Sequence, residues 1–350
     1  MRALAVIIAA LGCSNSKQSV SPRGDYCRGE SKLEAAPSPL GTLGGSSVRP
    51  TNTYSIVARD PITGDLGVAV QSHWFSVGSM VIWAEPGVGA VATQAFAEPS
   101  YGPKGLALMR DGIAPAEAIA QLTTADPQQA SRQLGFVDGQ GRVASHTGAK
   151  CIAFASSKVG EGYAVQANIM SNDKVVPAMA QAFEATKGDL AERMLAAMEA
   201  AQAAGGDLRG CQSAAILVVS GKRSEEPWKE KKVDLRVEDH AEPLRELRRL
   251  VALARAYDHM NQGDMALEKK DVAAASEHYA TALRMQPDNL EMAFWAGVTL
   301  AGNGQMDAGV PMVKRAIKTD PVYTELLKRL VDPPGLISKE AAERLLHEAR

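Results

Sequence analysis

The segment TNTYSIVARDPITGDLGVAVQS, residues 51–72, opens with hydroxyls at three alternate positions, Thr51, Thr53 and Ser55. On an extended chain successive side chains point to opposite faces. These three therefore share one face, while Tyr54, Ile56 and Ala58 share the other. A row of hydroxyls suits the hydrogen bonding of a strand edge. It also suits a nucleophile that waits to become a new N-terminus. The other chemistries with short signatures find no support. The chain has no Gly-x-Ser-x-Gly elbow, no glycine loop to cradle a phosphate and no His-Glu-x-x-His. Nothing in it calls for a cofactor or a metal.

Elements of some size must hold those hydroxyls. A chain of 350 residues, 45% apolar and only 5% aromatic, is long enough for two domains with cores of small side chains. A net charge of −2 gives no basic field for nucleic acid or an anionic membrane surface. The beginning, MRALAVIIAALGC, has one Arg, an apolar run and then Gly12-Cys13, the outline of a signal peptide. Its ALGC ending resembles a bacterial lipobox, with Ala10 where that motif carries Leu, and makes Cys13 the expected lipidation site. Residues 14–50 are rich in Ser, Gly and Pro and read as a tether, so order is expected from residue 51. The expectation is an exported protein of the cell envelope that touches membrane only through a lipid anchor. In an oxidising compartment a disulfide between Cys151 and Cys211 is open, and metal-ligand spacing is missing.

From Thr51 onward the pattern is short strands. TYSIVARD and LGVAVQS flank PITG as a hairpin, and SMVIWAEPG and GAVATQA flank Pro86-Gly87 as a second. YGPKGLALMRDG and APAEAIAQLTTADP read as helices, the first ending at Gly112 and the second starting on Pro115. RQLGFVDGQGRVASHTG and EGYAVQANIMS read as strands. Residues 175–204 are amphipathic with a break at Gly188, and CQSAAILVVS is apolar throughout, so buried on both faces. Residues 224–238 are charged and then alternate, as a last edge strand would. This is an α+β layered domain. Its edge strands leave a homodimer open.

A helical stretch follows, and within it Pro287 aligns with Pro321, Ala282-Leu283 with Ala316-Ile317, and Ala275 with Gly309, an offset of 34 residues. That period resembles the tetratricopeptide repeat, with Pro311 a departure early enough in its helix to be tolerated. The division expected is leader 1–13, tether 14–50, layered domain 51–257 and helical domain 258–350.

The stretches TYSIVARDPITGDLGVAVQSHWFSVGS, GVGAVATQA, PSYGPKGLALMRDG, HTG, GEGYAVQANIM and GGDLRGCQSAAILVV, in this order, resemble the family called domain of unknown function 1028. The resemblance extends to VDLRVEDHAEPLRELRRLVALARAY. The family is grouped with the N-terminal nucleophile hydrolases, which implies a four-layer αββα sandwich. It also implies that the Thr, Ser or Cys opening the first sandwich strand is the nucleophile, with its own α-amine, of ordinary pKa about 7.7–8.0, as base. In this sequence that position falls on Thr53, with Thr51 and Ser55 one pleat away on either side. A free amine there requires cleavage between Asn52 and Thr53. Ser72 and His73 end the second strand, and a sandwich can bring them beside the start of the first. His146 and Asn168 occupy strand positions that can face the same end, Asn168 as an oxyanion donor and His146 as a substrate contact. Arg209 offers a fork for a substrate carboxylate. The function expected is an amidohydrolase acting on a peptide or peptidoglycan-like amide. The alternative is a non-catalytic envelope lipoprotein scaffold that binds protein partners through its helical repeats.

Overall fold

The structure, a computed structural model, describes residues 53–331 and 336–349. The leader with Cys13, the tether and Thr51 lie outside those residues. The first two strands, β1 Thr53–Arg59 and β2 Leu66–Ser72, form the expected hairpin. Asp60 closes it: its Oδ1 accepts from the Ile62 and Thr63 amides at 2.8 and 2.9 Å, and Gly64 takes the left-handed conformation at φ 79°.

Next come α1 Gly78–Val81, β3 Ile82–Glu85 and β4 Gly89–Ala95. The sequence pattern runs a strand from Ser79, but the first three of those residues wind, with Gly78, into a helical turn. The turn is anchored to the next layer of the fold, because the Val77 amide donates to Ser213 Oγ at 3.1 Å. Then follow α2 Tyr101–Arg110, α3 Pro115–Thr124, β5 Arg132–Asp138, β6 Val143–Thr147, β7 Ser156–Gly160 and β8 Tyr163–Asn168. After these come α4 Val175–Ala185, α5 Leu190–Ala203, β9 Ser213–Val219 and β10 Lys231–Val237. The strand β7 has no counterpart in the sequence reading, since its residues SSKVG carry a single large apolar side chain, Val159, and give no alternation.

Two antiparallel sheets result, ordered β10-β9-β2-β1-β8-β7 and β3-β4-β5-β6. They stack face to face through Val57, Val68, Val70 and Leu217 of the first and Ala90, Ala92 and Val137 of the second. The outer face of the six-stranded sheet, with Tyr54 and Ile56, is covered by α4 and α5 through Phe183, Met194 and Met198. The outer face of the other, with Val91, Leu134 and Phe136, is covered by α2 and α3 through Tyr101, Leu106 and Ile119. This is the four-layer αββα arrangement, and β10 is an edge strand as its charge pattern requires.

Helices make up the rest of the described chain: α6 Pro243–Glu268, α7 Val272–Met285, α8 Leu290–Gly302, α9 Met306–Thr319, α10 Val322–Arg329 and α11 Lys339–Ala349. The long α6 runs unbroken through residue 257. Its first half, with Leu244, Leu247 and Val251, completes the core under α5. Its second half, with Ala256, Met260 and Leu267, packs on Tyr279 of α7. Glycines allow the helix pairs to approach: a Cβ on Gly263 would meet Tyr279 Cδ1 at 2.8 Å, and one on Gly297 would meet the Gly309 carbonyl at 2.8 Å. Gly263 and Gly297 are themselves 34 residues apart, so the offset seen in sequence relates one helix pair to the next. Helix α9 continues through Pro311. Cys151 and Cys211 are both free thiols, donating to the carbonyls of Arg132 and Ala241, so the disulfide left open by the sequence is not formed.

Candidate active site at the opening of the first strand

The register of the six-stranded sheet sets four polar residues side by side. Thr53 pairs with Asn168 on one flank and Ser72 on the other, and Ser72 pairs with Ser213. All four are fully buried. Strand alternation turns them to the inter-sheet side, opposite Tyr54, Gln71, Ala167 and Ala214. The Thr53 hydroxyl donates to Ser72 Oγ at 3.3 Å. Two residues further in, the corresponding row includes Ser55 and Gln166, and two further still it becomes Ala164, Val57, Val68 and Leu217. The space between the sheets is therefore polar at the end where β1 begins and apolar beyond.

The facing sheet answers with amides. Gln94 Nε2 donates to the Thr53 carbonyl at 3.2 Å and to Gln133 Oε1 at 2.7 Å, while Gln94 Oε1 accepts from Ser55 Oγ at 2.6 Å. Asn168 Nδ2 donates to Gln133 Oε1 at 3.0 Å and to the Thr53 carbonyl at 3.4 Å. Gln166 Nε2 donates to Ser55 Oγ at 2.6 Å. Within this network two oxygens, Asn168 Oδ1 and Gln166 Oε1, are buried with no partner. An orphaned buried acceptor costs about 1–3 kcal/mol, so a donor that reached either oxygen would recover that energy.

Backbone strain falls at the same place. Ala95 follows Gln94 at φ 66° and Ile169 follows Asn168 at φ 55°. Positive φ is a genuine outlier for a β-branched residue, and such outliers cluster at functional sites. Ile169 is held there by its neighbours: its amide donates to the Ile152 carbonyl at 3.0 Å and its carbonyl accepts from Leu208 at 3.1 Å.

Of the residues singled out in sequence, Thr53, Ser72 and Asn168 are brought together and His73, His146 and Arg209 are not. His73 follows Ser72 and is exposed, with its backbone amide on Asp207 Oδ2 at 3.2 Å. Its ring makes no hydrogen bond among the described residues, so no Ser72–His73 dyad forms. His146 pairs with Leu134, whose side chain belongs to the α2–α3 layer, and His146 Nε2 reaches the Gln129 carbonyl at 3.1 Å. It thus occupies the outer face of its sheet, opposite Thr53. The Arg209 guanidinium is engaged by Asp207, with Nη2 to Oδ2 at 2.9 Å and Nε to Oδ1 at 3.2 Å.

Asp207, Gln94, Gln133 and Gln166 went unremarked in the sequence. The three glutamines did leave a signal, each being a large polar residue among small or apolar ones on a strand that is buried throughout. Asp207 is buried and also accepts from the Arg209 amide at 2.8 Å, so it ties the loop before β9 to the end of β2. On the opposite side of β1, Tyr54 donates to Gln202 Oε1 at 2.9 Å. Its phenol is raised well above its ordinary pKa by burial and by the nearby Cys211 and Asp207. Among the described residues no cluster of three or more His, Cys, Asp or Glu is arranged to hold a metal ion.

A four-layer αββα sandwich with a buried polar stripe at the head of a central strand defines the class. The chain belongs to the Family of unknown function (DUF1028), whose model matches residues 53–247 and so begins at Thr53 itself. A crystal structure of a Silicibacter pomeroyi protein assigned to the same family is similar, with a TM-score of 0.52 and 32% identity over 57% of this chain and 85% of that one. No curated protein matches the sequence.

Proposed function

We propose that this protein is an amidohydrolase of the N-terminal nucleophile type, cleaving a peptide or cell-wall amide with Thr53. The reading is carried by the position of Thr53, first residue of a central strand and side by side with Ser72 and Asn168 at the polar end of the sandwich. Cleavage before Thr53 comes first, because a peptide nitrogen is not basic. The freed α-amine then accepts the Oγ1 proton, directly or through a water, as Oγ1 bonds to the amide carbonyl carbon. A backbone N–H stabilises the oxyanion, or Asn168 Nδ2 does so by giving up its long bond to the Thr53 carbonyl. The C–N bond breaks, the leaving nitrogen takes the proton, and water activated by the same amine hydrolyses the ester.

The test is a chain that begins at Thr53, screened against a panel of amides. It is expected to hydrolyse at least one, Thr53→Ala to abolish the activity and Thr53→Ser to keep part of it. Hydrolysis that survives Thr53→Ala rejects the assignment.

A second reading, a non-catalytic lipoprotein scaffold, draws on the two helix pairs related by 34 residues, which lie mostly beyond the family match and whose period resembles that of the tetratricopeptide repeat. The mature N-terminus decides between the two. Mass spectrometry that finds Thr53 first favours the enzyme, and a lipidated Cys13 favours the scaffold.

A further inference from the structure

The strand β1 rises about 3.3 Å per residue, so its last residue, Arg59, lies about 20 Å from Thr53. There the turns β1–β2, β5–β6 and β7–β8 and the adjoining ends of α4 and α5 enclose a cleft of about 500 Å³. Arg59, Arg193, Phe183, Tyr163, Glu161 and Glu184 are among its lining residues. The volume is that of an ordinary small-molecule site.

Two guanidiniums there are short of partners. Each offers five N–H donors. Arg59 uses Nε, which donates to the Gly139 carbonyl at 3.0 Å, and neither Nη makes a hydrogen bond among the described residues. The Arg193 guanidinium lies 4.2 Å over the ring of Phe183 and makes no hydrogen bond among the described residues. The carboxylate paired with it, Asp60, stands off at 3.8 Å and is already used by two turn amides through its other oxygen. Arg193 is only 19% exposed, too little for bulk water to serve it fully. Asp60 is also the residue after Arg59, so the two guanidiniums flank one turn.

The acidic side of the cleft differs. Glu184 is fixed by the Tyr163 hydroxyl and by Lys158 Nζ at 3.3 Å, whereas Glu161 is exposed and has no ion pair among the described residues. Two arginines and two glutamates leave the lining balanced in formal charge. A simple anion gains little from such a field, while a ligand that carries both signs meets both.

We propose that this cleft binds a small zwitterion with the end groups of a free amino acid. The carboxylate sits on the forks of Arg59 and Arg193, and the ammonium faces Glu161. A guanidinium pairs with a carboxylate through two parallel hydrogen bonds, which suits donors that the fold has left open. The site is independent of any chemistry at Thr53.

Isothermal titration of the full chain with common L-amino acids, propionate and inorganic phosphate tests this. At least one amino acid is expected to bind one to one. Propionate, which lacks the ammonium, is expected to bind about tenfold more weakly or worse, as losing a charged hydrogen bond implies. Arg59→Met and Arg193→Met are each expected to weaken the amino acid by a similar factor. Glu161→Gln, an exposed change with no contact to lose, is expected to weaken the amino acid and leave propionate unchanged. Arg193→Lys keeps a charge over Phe183 and guards against misreading a fold defect as lost binding. The proposal is overturned if no amino acid gives saturable heat, if propionate or phosphate binds as tightly as the best amino acid, or if well-folded variants bind like the parent.

Discussion

Gly135 of β5 and Gln166 of β8 face each other across the gap between the sheets, so closely that a Cβ on Gly135 would lie 2.6 Å from Gln166 Nε2. The Gln166 amide has little freedom to retreat, since it is fully buried and donates to Ser55 Oγ at 2.6 Å. The missing side chain at 135 is what lets a glutamine occupy this layer beside Thr53. Gly135→Ala is therefore expected to push the amide off Ser55 and lower stability by about 1–3 kcal/mol, the usual cost of overpacking. Urea denaturation measures it. An unchanged midpoint would mean that the amide network rearranges freely.

Asp207 is the second support of this end of the sandwich. Its carboxylate accepts from two backbone amides, those of His73 and Arg209, and from the Arg209 guanidinium. Asp207→Ala strands all three donors and is expected to cost about 3 kcal/mol, the range for breaking a buried ion pair. Asp207→Asn keeps the shape but turns an N–H toward one of the donors, so an intermediate loss is expected. Hydrogen exchange at the His73 and Arg209 amides should accelerate in both variants, and protection equal to the parent's would show the carboxylate to be dispensable.

Much of this architecture is legible in the chain itself. Alternating apolar residues around Pro61–Gly64 dictate a hairpin, and the unbroken apolar run Ala214–Val219 dictates a strand covered on both faces. Strand parity then carries Thr53, Ser72 and Asn168 to one row once those strands are neighbours. The same parity defeats His146. Which face of β6 looks inward is set by its pairing with β5, and that pairing puts His146 with Leu134 on the helical side. Long-range partners leave no local trace, so Asp207 reads as an ordinary loop residue in GGDLRG. The strand β7 lacks alternation and forms because β8 offers it an edge.

Asp126 and Glu192 are among the carboxylates that contribute to the acid limit of stability. Burial pushes Asp126 up, but hydrogen bonds from Arg132, the Gln128 amide and the Tyr101 hydroxyl outweigh it and leave the carboxyl below its ordinary pKa. Glu192 is likewise pushed up by burial and pulled down further by Arg248 and Arg255. A carboxyl depressed in the folded state contributes stability that is present above its unfolded pKa, about 3.9 for Asp and 4.3 for Glu, and lost as pH falls through the folded value. The melting temperature should therefore hold from neutral pH to about 5 and fall below about 4. The Arg132–Asp126 pair is only 4% and 13% exposed. Arg132→Met is accordingly expected to cost about 3 kcal/mol at pH 7 and to make the acid limb shallower. A parent and variant with parallel acid limbs would exclude Asp126 as a source.

The helix α6 belongs to two cores, and a cut inside it separates them. Leu244, Leu247 and Val251 lie with the sandwich, and Ala256, Met260 and Leu267 with α7. The first half is also tied to α5 by charge: Arg248 bonds Glu192 at 2.9 Å and also Glu199, and Arg255 bonds Asp189 at 2.7 Å. A chain ending at Tyr257 keeps every one of these contacts. It is expected to stay soluble and melt cooperatively. A chain ending at His240 removes the whole helix and uncovers the sheet face that Leu247 and Val251 bury, at about 1.5–3 kcal/mol for each large side chain. It is expected to aggregate or to lose cooperativity. If the longer chain is insoluble as well, the sandwich depends on the helices beyond 257 and the two cores fold as one. If the shorter chain folds as well as the longer, the first half of α6 is not part of the sandwich core.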